Sequence, residues 1–183
     1  MAAVVLVAGC TGGGSETTSG TQRFVAGDGV VHYVPAANRE PGPDIAGETL
    51  DGERLDVGTL RAGGVAVVNI WGSWCAPCKK EQGALERVAR ATRSRGVRFV
   101  GINIRDSSKT AARMHVTKYD VTYPSLYDPS ARLLPRFEIA PKTIPSTYVI
   151  DPGGRIAAYV YGPIEEQPLT DLVDRVLAEA GPA

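Results

Sequence analysis

The chain has 183 residues, 43% of them hydrophobic and 22% charged, so it is long enough and apolar enough for one globular domain with a real core. Lys and Arg number 20, as do Asp and Glu, giving a formal net charge of zero. No basic excess favours nucleic acid, no acidic tail is present, and no internal repeat is seen.

In chain order, Ala2 to Ala8 is a short apolar run that ends in Val7-Ala8-Gly9-Cys10. A run of this length cannot cross a bilayer, which takes about 20 residues, but it suits the apolar core of an export signal. Leu6-Val7-Ala8-Gly9-Cys10 resembles a bacterial lipobox, which implies lipidation of Cys10. No Lys or Arg precedes the run, so the usual basic leader of such a signal is missing. Thr11 to Thr21 is Gly, Ser and Thr apart from Glu16 and reads as a flexible tether. About 11 such residues reach roughly 20 Å root-mean-square. The expected organisation is a signal segment at 1–9, the lipidated cysteine with tether and a small extension at 10–38, and one folded domain at 39–183.

Phe24 to Val34, with Gly27-Asp28-Gly29 between apolar flanks, predicts a small hairpin. Pro35 to Pro43 reads as an extended connector. Asp51-Gly52 predicts a second hairpin between Ile45–Leu50 and Arg54–Val57. Val65–Trp71 is a buried strand by its β-branched run. Ala76–Arg95 is a helix with Ala84, Leu85, Val88, Ala89 and Thr92 on one face, closed by Gly96. Val97–Ile104 is the next strand, and Ser107 or Ser108 caps a helix to about Lys118. Tyr123-Pro124 breaks the chain, and Ser130–Phe137 predicts a short helix. Ser146–Ile150 and Ile156–Tyr161 are strands around an Asp151-Pro152-Gly153-Gly154 turn. A final helix follows Pro168, its apolar face running from Leu169 to Ala180. The sum is an α/β fold, a mixed sheet flanked by helices, with its ligand site at the carboxyl end of a central strand.

Two of the three cysteines stand at that point, in Trp74-Cys75-Ala76-Pro77-Cys78. The first turn of a helix has unpaired N–H groups and partial positive charge, which stabilise a thiolate. Cys75 is therefore the expected exposed attacking sulfur and Cys78 the resolving one. Pro77 fits because the first turn does not need its N–H. Lys79 and Lys80 add positive charge nearby. Four-ligand zinc binding lacks ligands close in sequence, since only His32 and His115 are available. No metal and no cofactor are expected. The peroxidatic pattern Pro-x-x-x-Thr-x-x-Cys also fails, because Val68 and Gly72 occupy its Pro and Thr positions.

Trp74-Cys75-Ala76-Pro77-Cys78-Lys79-Lys80-Glu81, with Thr143-Ile144-Pro145-Ser146-Thr147 further on, resembles the thioredoxin superfamily, and more narrowly its membrane-tethered TlpA/ResA branch. The resemblance covers roughly residues 40 to 180. The Arg-, Ala- and Val-rich usage is similar to an actinobacterial member. The resemblance implies a thioredoxin-like domain and a thiol–disulfide oxidoreductase with a Cys75–Cys78 redox disulfide. It further implies an extracytoplasmic, lipid-anchored location, a membrane thiol as electron donor, and protein disulfides as substrates, among them the Cys-x-x-Cys-His of apocytochrome c. Pro145 matches the cis-proline that faces the disulfide, leaving the Ile144 backbone free to pair with an extended substrate. Glu81 matches a glutamate that transfers protons for Cys78; an ordinary helix carboxylate would instead be exposed. Asn69 stands where thioredoxins proper carry a buried aspartate and cannot exchange a proton. Trp74 is either an exposed apolar rim for substrate or a partly buried core aromatic. The same chemistry run backwards would make an oxidase of exported proteins, and a binding lipoprotein would need no reactive thiol at all.

Overall fold

The computed structural model describes residues 27–181. The signal-like run, Cys10 and the tether lie outside these residues.

A six-stranded mixed sheet has the order Val31–Tyr33 (β1), Ile156–Tyr161 (β8), Ser146–Ile150 (β7), Ala66–Trp71 (β4), Arg98–Ile104 (β5) and Ser125–Asp128 (β6), and Ala46–Glu48 (β2) and Arg54–Asp56 (β3) form a separate hairpin. The central strand β4, Ala66–Trp71, is parallel to β5, Arg98–Ile104, and antiparallel to β7, Ser146–Ile150. All six residues of β4 are buried, as expected for a strand covered on both faces. Alternate side chains feed two cores. Val68, Ile70, Ile102 and Tyr148 meet Ile45, Leu50 and Val57 on one face. Val67, Phe99, Val149 and Val160 meet Leu85, Val88, Leu169 and Val173 of the helices α2, Ala76–Thr92, and α4, Glu166–Ala180, on the other. The helix α3, Lys109–Lys118, is capped by Ser108, whose Oγ accepts the Ala111 N–H at 3.3 Å.

The hairpin signal at Asp51-Gly52 corresponds to β2, Ala46–Glu48, paired with β3, Arg54–Asp56. Val57 does not extend that strand. It opens a short helix α1, Val57–Arg61, because the Asp56 carboxylate accepts the Thr59 N–H at 2.7 Å and caps it.

Three other sequence expectations differ from the structure. The described part of the Phe24–Val34 segment does not fold back on itself. Its strand β1, Val31–Tyr33, pairs antiparallel with β8, Ile156–Tyr161, and His32 stacks on Tyr159 at 4.7 Å. The edge of β8 supplies the partner for Val31–Tyr33, so the sheet begins upstream of the expected domain boundary at residue 39. Ser125–Asp128 forms β6, a parallel edge strand the sequence pattern did not suggest. The expected helix at Ser130–Phe137 shrinks to a single 3-10 turn, Leu134–Arg136. The Asp128 carboxylate accepts the N–H groups of Arg132, at 2.9 Å, and Leu133, at 2.8 Å, which holds the chain in a loop at the place a helix would start.

Candidate active site: the Cys75–Cys78 loop

The chain leaves β4 at Trp71 and turns at once. Gly72 leaves no room for a side chain: a Cβ there would lie 2.7 Å from Trp74 Nε1. The Cys75 N–H donates to the Gly72 carbonyl at 3.1 Å, closing the turn that starts α2. Ser73 is clamped from the neighbouring strand. Its N–H donates to Asp106 Oδ2 at 2.9 Å and its hydroxyl donates to Asp106 Oδ1, while Asn103 Nδ2 donates to Asp106 Oδ2 at 2.5 Å. Asp106, just past the end of β5, thus holds the redox loop in place. Sequence reasoning missed it, because no local pattern links residue 106 to residue 73.

Cys75 is the N-cap of α2 and is disulfide-bonded to Cys78, with the Cα atoms 5.3 Å apart. The Cys78 N–H donates to Cys75 Sγ at 3.2 Å. That orphan donor of the first turn would serve a Cys75 thiolate in the same place. The exposed sulfur expected at Cys75 needs correction for this oxidised form: Cys75 is 4% exposed and Cys78 1%. In the disulfide, Cys75 belongs to an apolar cluster with Cys78, Trp71 and Ile144. Trp74, by contrast, is 49% exposed beside the disulfide, which favours the rim over the core aromatic.

Glu81 is buried one turn into α2, not an exposed helix carboxylate. Its Oε1 accepts from Asn69 Nδ2 at 2.8 Å and its Oε2 accepts the Ile164 N–H at 2.9 Å. Asn69 Nδ2 also donates to Thr147 Oγ1 at 3.0 Å, while Asn69 Oδ1 is buried without a partner. Burial pushes the Glu81 carboxyl up from 4.5 to about 8, against the opposing pull of the Ile164 and Asn69 donors. The group therefore gains and loses a proton near neutral pH.

The Ile144–Pro145 peptide bond is cis. Ser146 pairs with Ile70, so Pro145 stands beside the exit of β4, at the redox end of the sheet. Ile144 precedes β7, and its N–H belongs to no strand ladder. The structure thus brings Trp74, Cys75, Cys78, Glu81, Ile144 and Pro145 to one end of the fold. Cys10 lies outside the described residues.

His115, which carried no assigned role in the sequence, is buried between α3 and α2. Its ring lies 4.6 Å from that of Trp71, and its Nε2 is 3.2 Å from Gln82 Oε1. Burial, with Lys79 and Lys118 adding to it, pushes its pKa down to about 4.

A strand-to-helix Cys-x-x-Cys facing a cis-proline on a mixed sheet defines a thioredoxin-fold thiol–disulfide oxidoreductase. The profile of the AhpC/TSA family matches residues 39–159, and the chain belongs to that family, in the branch of the ResA thiol–disulfide oxidoreductases. It is 30% identical over 134 residues to the thiol-disulfide oxidoreductase ResA of Bacillus subtilis, covering 73% of each chain. Among solved structures it resembles a secreted thiol-disulfide isomerase from Corynebacterium glutamicum, with a TM-score of 0.76 and 29% identity over 86% of this chain and 98% of that one. A DsbF homologue from Corynebacterium diphtheriae matches with a TM-score of 0.74 and 29% identity over 87% and 96%.

Proposed function

We propose that the protein is an extracytoplasmic reductase, tethered to the membrane by a lipid on Cys10, that reduces disulfides of exported proteins, such as the Cys-x-x-Cys-His of apocytochrome c. The observation that carries this reading is the pairing of a Cys75 sulfur on the Cys78 N–H with a buried, proton-holding Glu81 in the same helix.

The reaction follows from those positions. In the reduced protein the Cys75 thiolate attacks one sulfur of the substrate disulfide. A mixed disulfide forms and the first substrate sulfur leaves as a thiolate. Glu81, as carboxylate, takes the proton of the Cys78 thiol. The Cys78 thiolate then attacks Cys75 Sγ, the second substrate sulfur leaves, and the Cys75–Cys78 disulfide is formed. A membrane thiol donor returns two electrons and two protons. Trp74 gives the substrate an apolar rim, and the backbone of Ile144 beside Pro145 pairs with its extended chain.

The reduction potential of the full chain, equilibrated against glutathione and followed by Trp fluorescence, tests the direction. A value near or below roughly −220 mV is expected; one near roughly −120 mV would assign the protein to disulfide formation instead.

A further inference from the structure

The chain has five lysines, at positions 79, 80, 109, 118 and 142. Lys109 is paired with Glu48. Lys79, Lys80, Lys118 and Lys142 are exposed, and among the described residues none has a carboxylate within 4.0 Å. Arg39, Arg87, Arg90, Arg95, Arg113, Arg155 and Arg175 each hold a carboxylate. Lys79 and Lys80 follow Cys78 directly, and Lys142 comes three residues before Pro145. Three of these four lysines, Lys79, Lys80 and Lys142, thus stand within a few residues of the redox disulfide or of Pro145, in a chain whose formal net charge is zero.

Two of these lysines share a recess of about 350 Å³ that runs from Ser73, beside the redox loop, down the groove between α2 and α3. Lys79 stands on one wall, Met114 and Lys118 on the other, with His115 and Tyr119 also lining it. Met114 is 69% exposed, more than any other large hydrophobic side chain among the described residues. The one carboxylate acting on the groove's His115, Asp106, is held on Ser73 and Asn103 and lies more than 4.0 Å from the ammonium groups of Lys79 and Lys118. Burial, with Lys79 and Lys118 adding to it, holds His115 in its neutral form.

An exposed methionine beside two ammonium groups that hold no carboxylate, Lys118 resting 5.6 Å over the Tyr119 ring, in a groove opening at a reactive disulfide, has the chemistry of a protein-docking surface rather than of a small-ligand pocket. Flexible ammonium groups suit a transient charged partner, and methionine adapts to varied apolar side chains. We propose that this groove docks an acidic segment of the substrate protein, with Asp or Glu side chains on Lys79 and Lys118 and an apolar residue on Met114. The proposal rests on the reading that the substrate is a protein disulfide and adds which proteins are preferred: those with acidic sequence beside the reacting cysteines. Lys80 and Lys142 extend the same attraction around the loop.

The test uses the full chain, reduced, with three substrates: a peptide disulfide flanked by Asp and Glu, the same peptide flanked by Lys and Arg, and hydroxyethyl disulfide, which is uncharged and too small to span the groove. The acidic peptide is expected to be reduced with a kcat/KM about tenfold higher than the basic one at low salt, and raising ionic strength should shrink the difference. Lys118→Glu should remove or invert that preference through KM, and Met114→Ala should weaken both peptides. Both variants should leave hydroxyethyl disulfide turnover unchanged. Equal rates for the two peptides, or a preference that survives Lys118→Glu, would overturn the docking site while the exchange reading stands. A chain that turns over none of the three substrates would lose both.

Discussion

Two buried carboxyls, at opposite ends of the sheet, are treated in opposite ways. Asp151, in the turn between β7 and β8, is 3% exposed and meets cations: Arg39 Nη1 at 3.0 Å and Arg155 Nη2 at 3.2 Å. Glu81, near the redox loop, is 2% exposed and meets only the neutral donors of Asn69 and Ile164. Burial alone would raise both. At Asp151 the Arg155 backbone N–H and the two guanidinium groups overcome it and hold the carboxyl below its ordinary value; at Glu81 burial wins and the carboxyl rises to about 8. The first arrangement is a clasp. Arg39 also bonds Glu179 of α4, accepts no proton change, and ties the N-terminal segment to the last helix. The second leaves a group free to change protonation state within the working pH range. One fold thus closes one end with ion pairs and keeps the other chemically mobile.

The largest way to break the comparison is at the disulfide itself. Cys75→Ser should abolish exchange with protein disulfides, and Cys78→Ser should trap a mixed disulfide with substrate, visible on non-reducing gels. Trapping by Cys75→Ser rather than by Cys78→Ser would reverse the roles of the two sulfurs.

Glu81→Gln comes next. The folded value lies above the ordinary 4.5, so as pH rises the unfolded chain ionises first and the folded state loses stability between about pH 4.5 and about 8. Below that window both forms are protonated and the loss is absent. The slope is roughly 1.4 kcal/mol per pH unit where the difference is complete. Urea unfolding at a series of pH values should show this decline in the parent and a flatter line in Glu81→Gln. The variant should also release mixed disulfides more slowly. A parent whose stability does not fall toward pH 8 would contradict the burial argument, and equal turnover at every pH would remove Glu81 from the reaction.

At the other end, Arg39→Met should cost about 3 kcal/mol, near the low end for breaking a buried pair, because Arg155 stays with Asp151. The reduction potential should not move. The stability that Asp151 contributes is complete above its ordinary value of 3.8 and is lost only as pH falls through its lower folded value, so the two carboxyls weaken the fold at opposite ends of the pH scale. A potential shifted by Arg39→Met would mean that the ends are coupled and not separate.

Much of the site was legible in the sequence, because its central parts are local. A β-branched run feeding Cys75 and Cys78, a proline in the first turn, and a glutamate three residues later on the same helix are placed by chain geometry alone. Pro145 was legible only through its motif. Four-residue β6 was not, since Ser125-Leu126-Tyr127-Asp128 has one inward apolar residue and is a strand only because β5 pairs with it. Nor was the destination of β1, whose three residues have no partner of their own.

The sequence by itself determined the strand–loop–helix that presents the two cysteines, the capping of that helix by Cys75, and the periodic faces of α2 and α4. These depend on residues within a few turns of one another. The tertiary structure decided what surrounds them. Asp106 holds Ser73 across 33 residues, Ile164 reaches Glu81 across 83, and Asp151 meets Arg39 across 112. A carboxyl's pKa depends on which donors and how much water reach it, and those arrive from distant parts of the chain. The same residue type therefore became a clasp at one end and a proton-holding group at the other.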